Sequence, residues 1–507
     1  MNRQSAAVKY HACMSASPEQ PVVVIGAGPA GLTAAYDLTR RGVPVLVFDQ
    51  DERVGGLAQT VVYKGFRFDI GGHRFFTKVS SVRDLWHELL GDDLLQRPRL
   101  SRIYYGGRFF DYPLRASNAL RNLGPWTSVA VLASYLRARA MPIRPERSFE
   151  DWICNRFGRR LFDLFFKSYT EKVWGIPCRE IGAEWAAQRI KGLSLWTAVL
   201  SMLRPSAHGH ITTLIHAFEY PRLGPGMMWE ACRDRITEAG GQVILGSRVV
   251  ELQHDGSRVH AVVIERAGER RVYPASHVIS TMPVRHLVER MSPAAPADAR
   301  GAGQRLKYRD FLTVALIVDQ AEVFPDNWIY IHDPSVRVGR VQNFKNWSPE
   351  MVPDPALTCL GLEYFCSTGD DLWRMADAAL IALATREIES IGLVSAARVI
   401  DATVVRVHKA YPIYDEGYAE ALAGVRAWVD RMPNLQLVGR NGMHKYNNQD
   451  HSMLTARLAV DNYFGAHHDL WAVNADEEYH EEDNGRALGA SQPLVPRRIG
   501  RPSRDST

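Results

Sequence analysis

The sequence predicts an α/β fold with α+β insertions: a discontinuous Rossmann-like unit that carries a helical insertion and an antiparallel β-sheet. Three observations predict it. Val22 to Ile25 is a short apolar run closed by glycines, a helical pattern follows to about Arg41, and a second apolar run spans Val45 to Phe48. That order is a β-α-β unit. From about Ser80 to Leu214 the pattern turns helical and rich in Trp, Phe and Arg, whereas strand patterns recur over Gln242 to Leu245, His260 to Glu265, His277 to Ser280, Leu312 to Val318, Trp328 to His332, Gly339 to Phe344 and Thr358 to Phe365. A long helix over Asp370 to Ile391 and an amphipathic one over Ser452 to Phe464 complete the pattern, so the chain returns late to the unit in which it began.

These patterns divide the chain. Residues 21–80, 215–285 and 405–466 are expected to form the discontinuous dinucleotide-binding domain, 81–214 a mainly helical substrate or cap domain, and 286–404 an antiparallel β-sheet substrate domain. Residues 1–20 read as a disordered leader and 472–507 as a disordered tail, both polar and without periodicity.

Bulk composition narrows the function classes. At 507 residues and 46% hydrophobic the chain can bury large cores, and its net charge of +5 is not gathered into a basic run, which argues against nucleic acid as a partner. No apolar stretch reaches the roughly 18 residues of a spanning helix, and the first residues lack the apolar core of a secretory signal. The expected location is the cytoplasm, with no stable membrane insertion. The cysteines Cys13, Cys154, Cys178, Cys232, Cys359 and Cys366 are scattered, without a CxxC pair or nearby histidines, so buried thiols are expected and no metal site.

Gly26, Gly28 and Gly31 fall in the G-x-G-x-x-G spacing between the first strand and its helix. Their tasks are steric: a tight turn, close approach of backbone to a pyrophosphate, and contact of helix with strand. The phosphates then sit on the positive helix end. Asp49, which closes the second strand, is placed to accept hydrogen bonds from ribose hydroxyls.

Arg53-Val54-Gly55-Gly56-Leu57 follows directly. It resembles the R-x-G-G extension of the glutathione-reductase-like and amine-oxidase-like flavoproteins, which favours FAD over NAD and puts Arg53, Gly55 and Gly56 near the pyrophosphate. Pro221-Arg222-Leu223-Gly224-Pro225-Gly226, Ile279-Ser280-Thr281-Met282-Pro283 and Leu437-Val438-Gly439-Arg440 fit the same superfamily in order and separation.

Shorter blocks narrow the resemblance. Gly71-Gly72-His73-Arg74-Phe75-Phe76, Tyr112-Pro113, Lys172-Val173-Trp174-Gly175-Ile176-Pro177, Tyr411-Pro412-Ile413 and Gly439 to Ser452 together resemble the UDP-galactopyranose mutase family. The resemblance implies that Gly72 and His73 lie against the flavin, with Gly439, Arg440 and Asn448 in the turn beside it. It implies that Arg189 and Arg340 bind the substrate's pyrophosphate and that Trp328 and Tyr330 line the sugar pocket. Tyr411 and Tyr446 would contact the diphosphate, Trp174 would lie beside the nucleotide, and Tyr112 would join the substrate residues. His73 has a second reading, as a structural residue donating to a backbone carbonyl. Thr170, which stands where some of these mutases have Asn, and the added cations Arg74 and Lys78 depart from the family pattern.

The activity so implied is interconversion of pyranose and furanose rings of a UDP-sugar or related nucleotide-sugar, through a bond between flavin N5 and the sugar. It needs reduced FAD, with NAD(P)H or another reductant supplying electrons once. Arg189 and Arg340 would stabilise charge on the departing diphosphate. The alternative is an FAD-dependent oxidoreductase of the amine-oxidase, protoporphyrinogen-oxidase or desaturase type, taking a hydride from its substrate. A third is a flavin-carrying protein without turnover, against which two arginines left unpaired in a cleft would argue.

Overall fold

In the computed structural model, the described residues are 20–112, 116–183 and 217–474. The disordered leader and tail expected at the termini lie almost wholly outside them, as does Arg189. A five-stranded parallel sheet has the order Leu435–Leu437, His277–Ser280, Val22–Ile25, Val45–Phe48, Gln242–Ile244. The Val22–Ile25 strand is buried on both faces, which is why it reads as an unbroken apolar run. The helix Pro29–Arg40, with Pro at its first position, packs between this sheet and the late helix Gln449–Tyr463. A four-stranded sheet carries Arg248–His254, Val259–Arg266, Glu269–Pro274 and Met291–Ser292 beside it.

The second body is a seven-stranded sheet in the order Val399–Pro412, Tyr308–Val318, Thr358–Cys366, Arg340–Asn343, Trp328–Ile331, Ser101–Tyr105, Arg108–Asp111. Two boundaries differ from the sequence reading. Ser101–Tyr105 and Arg108–Asp111, expected within the helical domain, belong to this sheet, and Ser101–Tyr105 pairs in parallel with Trp328–Ile331, so the sheet is mixed. Pairing across more than two hundred residues has no local signature. Val399–Pro412 is likewise one continuous strand of this sheet, so residues 405–412 leave the dinucleotide-binding unit. The helix expected over 370–391 is split into Asp371–Arg374 and Asp377–Ser390.

Helices cover one end of this sheet. Phe149–Phe157 starts with a capping box, in which the Asp151 N–H donates to Ser148 Oγ at 3.1 Å and the Ser148 N–H donates to Asp151 Oδ2 at 3.0 Å. Five cysteines are free and buried, and among the described residues no helix is long and apolar enough to cross a membrane.

Two glycines of the first turn are steric requirements. Gly26 has φ +103°, and a Cβ on Gly31 would lie 1.8 Å from the Gly26 carbonyl oxygen, a backbone atom that cannot swing away. Gly31→Ala is therefore expected to cost about 2 kcal/mol or more by overpacking, read as a lower midpoint of thermal unfolding, while Gly42→Ala, with nothing within 4 Å of the new methyl, loses only what its positive φ imposes.

Candidate functional site

A cavity of about 1090 Å³ runs from the head of the Pro29–Arg40 helix to the inner face of the seven-stranded sheet. Three glycine turns build its first end. The Gly55 N–H donates to the Ala27 carbonyl at 2.8 Å, and a Cβ on Gly56 (φ +53°) would stand 3.1 Å from Gly28 Cα. Gly439 (φ +78°) presses equally close to Ala30. No side chain caps the helix at Gly28, so its first-turn N–H groups face the cavity. Asn448 and Gln449, at the start of the second helix, line the same cavity, which thus receives two positive helix ends.

Asp49 borders this end. Its Oδ2 accepts from the Ala27 N–H at 2.6 Å and its Oδ1 from the Asp51 N–H at 2.9 Å, tying the second strand to the glycine loop. Burial pushes its carboxyl up to about 6 despite those bonds. Arg53 is exposed on the rim. Arg440 locks the opposite wall, donating to the carbonyls of Asn447 (2.9 Å) and Ala410 (3.0 Å) and lying 4.7 Å over the Tyr446 ring.

The Gly71-Gly72-His73 loop enters mid-cavity after the strand Phe66–Asp69. Asp69, fully buried, anchors it by accepting from the hydroxyls of Thr60 (2.9 Å) and Tyr220. The Pro221 to Gly226 block has its explanation here, since Gly226 N–H donates to Thr60 Oγ1 at 3.0 Å and a Cβ on Gly224 would lie 2.3 Å from that oxygen. His73 Nε2 is 3.3 Å from the Ile70 carbonyl, the contact expected of the structural reading, yet the ring also lines the cavity. Burial, then the positive charge of Arg440, pulls its pKa down to about 4, so the imidazole is neutral near pH 7.

At the far end Tyr330, Arg340 and Glu363 lie side by side in register across three strands, and Trp328 sits beside Gln342 in the next row. Arg340 is not unpaired. Its Nε donates to Glu363 Oε2 at 2.5 Å and its Nη2 to the Tyr411 hydroxyl at 3.0 Å, while Gln342 Nε2 donates to the other Glu363 oxygen. Glu363 is fully buried, and the pair is close to neutral. The expectation of two unpaired arginines is corrected at this one, and Arg189 lies outside the described residues. Sequence reading passed over Glu363 and Gln342, although an acid inside the apolar run Thr358–Cys366 is itself a sign of a buried partner.

Tyr411 and Tyr446 stack at 5.7 Å and line the cavity. Trp174 does not: it stands behind them, edge-on at 6.4 Å to Tyr411 and packed in the core. Tyr112 sits at the outer edge, 4.8 Å from Tyr330 and 40% exposed, not in the wall itself.

The residues present fit FAD. The glycine cradle and two helix ends suit a dinucleotide's diphosphate. The buried side-chain oxygens of Asn441 and Gln449 line the cavity without a hydrogen-bond donor, as acceptors for ribityl hydroxyls or ring N–H groups would. No cluster of His, Cys, Asp or Glu that could hold a metal occurs among the described residues.

Asp69 has a pH signature. Burial pushes its carboxyl up to about 7. A folded-state pKa above the ordinary 3.8 gives stability that is full below pH 3.8 and lost as pH rises through 7. Thermal unfolding followed from about pH 4 to about pH 8 should show Asp69→Asn gaining on the parent as pH rises. Buried histidines such as His73 act oppositely, losing stability as pH falls from 6.5 toward 4, and cancel in that difference.

Known proteins share this sequence pattern and fold. Phytoene desaturase (lycopene-forming) of Pantoea ananas is 25% identical over 308 residues, which are 55% of this chain and 59% of the relative's length. Coproporphyrinogen III oxidase of Mycobacterium leprae (strain TN) is 26% identical over 444 residues, 82% of this chain and 92% of that one. Among solved structures, reduced UDP-galactopyranose mutase superposes with a TM-score of 0.78 at 21% identity, covering 90% of this chain and 98% of the mutase. A putative protoporphyrinogen oxidase from Exiguobacterium sp. 255-15 superposes at 0.65 and 18% identity, covering 88% and 99%. The family model for flavin-containing amine oxidoreductases matches residues 29–448, and the chain belongs to that family of FAD-dependent enzymes.

Proposed function

We propose that this flavoenzyme acts on a nucleotide-activated sugar and interconverts its pyranose and furanose forms, as the mutase it resembles in fold is named for. The observation that carries this reading is the polar, aromatic wall at the sheet end of the cavity, where Trp328, Tyr330, Tyr411, Tyr446, Arg340 and Gln342 converge. Hydroxyls and a guanidinium suit a sugar and a diphosphate better than a polyene or a hydrophobic amine. Bound in reduced form, FAD would supply the nucleophile, NAD(P)H or another reductant having supplied the electrons.

The chain's own residues would act around it. The neutral His73 imidazole would pack against the ring from the Gly71-Gly72 turn, and Gln342 Oε1, buried without a donor, would accept from a sugar hydroxyl. Arg340 and Arg189 would orient the diphosphate. Because Glu363 already holds Arg340, that guanidinium offers direction more than net charge.

Two observations favour a second reading, hydride transfer from substrate to FAD: the desaturase and oxidase names of the sequence relatives, and the neutralised Arg340. The assay that separates the readings is anaerobic. Dithionite-reduced protein is given UDP-galactose and UDP-galactofuranose in turn, and the sugars are followed by chromatography beside the flavin spectrum. Interconversion only with reduced flavin is expected; bleaching of oxidised flavin by an amine, alcohol or saturated carbon substrate instead would establish the second reading. Arg340→Lys, which keeps a partner for Glu363 but loses the fork, should weaken UDP binding about tenfold with flavin content unchanged.

A further inference from the structure

The helix Pro125–Ala140 turns one face to the protein and the other to solvent. Val131 and Tyr135, one turn apart, are buried, and the helix backbone presses on Gly158, where a Cβ would stand 2.7 Å from the Tyr135 nitrogen. From the same side the Arg160 N–H donates to Ser134 Oγ at 3.0 Å. At the roughly 100° per residue of an α-helix, Trp126, Val129, Leu132 and Leu136 form one stripe on the opposite side. All four are exposed, Trp126 at 87%, and Met141 (72%) and Ile143, exposed too, follow directly in the chain. These six are more than half of the exposed large apolar side chains among the described residues. Such a concentration marks an interaction surface, whereas apolar residues scattered singly do not.

Charge decides which surface it fits. From Tyr112 to Pro145 the sequence holds Arg115, Arg121, Arg137, Arg139 and Arg144 and no Asp or Glu, so this stretch alone carries as much positive charge as the net +5 of the whole chain. By the same helical geometry Arg137 and Arg139 border the apolar stripe, one on each side, and both are exposed, as are Arg121 and Arg144. The stripe is held firmly, because Asn122, just ahead of the helix, donates to the Phe109 carbonyl at 2.8 Å on the edge strand Arg108–Asp111 of the seven-stranded sheet. A second copy of the chain would set arginines against arginines. Nucleic acid would match the guanidiniums and leave the apolar stripe in water. An anionic bilayer meets both.

We propose that this face docks on the surface of an anionic lipid bilayer, with Trp126, Val129, Leu132 and Leu136 entering the headgroup region and the bordering arginines reaching lipid phosphates. Arginine stems are long enough to follow the apolar stripe downward while the guanidinium stays at headgroup level, the depth that tryptophan also favours. The helix lies on the bilayer and does not span it, and no described helix is long and apolar enough to cross one. The docking face stands independently of the nucleotide-sugar reading.

The test uses the full-length, FAD-loaded protein. It is sedimented with vesicles of phosphatidylcholine alone, and of phosphatidylcholine with about one-third phosphatidylglycerol, at low and high salt. Binding to the anionic vesicles, weakened by salt, is expected. The double variant Trp126→Ser/Leu136→Ser should bind about tenfold or more weakly, and Arg137→Gln/Arg139→Gln about thirtyfold more weakly at low salt, with a smaller loss at high salt. All four side chains are exposed, so flavin content and unfolding midpoint should hold. The fluorescence difference between the parent and Trp126→Phe isolates Trp126, which should be quenched by acrylamide in the free protein and shielded once anionic vesicles are added. A parent that ignores anionic vesicles, or vesicle binding that survives both double variants, overturns the proposal. Trp126 already shielded in the free protein overturns it as well, since the face is then covered without a bilayer; a dimer that Trp126→Ser/Leu136→Ser dissolves would identify the cover as a second copy.

Discussion

The structure depends on how closely two other stretches of backbone, one of them from near the end of the chain, approach the head of one helix. Gly28 and Gly56 lie near the start of the chain and Gly439 near its end, yet each lies where a methyl group would stand 3.0 to 3.7 Å from its neighbour. Gly442 extends the contact, since a Cβ there would meet the Ser280 carbonyl at 2.7 Å. This crowding brings the end of the chain against its beginning and aims both helix N-termini into one cavity. Side chains could not do this at such range, which is why the turns are glycine and why the discontinuous unit closes as one body.

A second constraint governs the other end of the cavity. The seven-stranded sheet places Glu363 at full burial in a strand that is otherwise apolar, where an unpaired carboxylate would be expensive. Arg340 and Gln342 on the adjacent strand satisfy both of its oxygens, and the register that pairs Arg340 with Glu363 also sets Tyr330 alongside. The charge is traded for orientation: Arg340 cannot swing, and its second nitrogen meets Tyr411. The cavity wall is therefore a fixed template rather than a flexible cationic patch, a property useful for holding a ligand in one attitude.

What could be read in the sequence follows from how local its causes are. Gly26, Gly28, Gly31, Asp49 and the Gly55-Gly56 turn act within thirty residues of one another, and their spacing alone fixes their work. Four strands of the second body, those within 308–366, were legible from apolar runs, because burial writes itself into composition. The partnership of Arg340 with Glu363 was not, since strand register is set by the whole sheet. The depth of Trp174 was not legible for the same reason: its motif puts an aromatic near the site, but only packing decides that Tyr411 and Tyr446 stand in front. The strands at 101–111 escaped because their partner, Trp328–Ile331, lies far along the chain.

This division between a locally written cofactor end and a globally assembled substrate end accounts for the mixed company the chain keeps. Relatives named for desaturation, porphyrinogen oxidation and sugar ring interconversion share the frame, because the glycine turns that build the dinucleotide end lie outside the second body. What distinguishes such proteins must then lie where strand register, not motif, positions side chains. Here that region carries an arginine held by Glu363 and a stacked pair of tyrosines, which an apolar substrate would not require. Burying polar groups in a wall is costly unless a ligand repeatedly completes their bonds. The chemistry of that wall, more than the ancestry of the frame, is where members of this family part company.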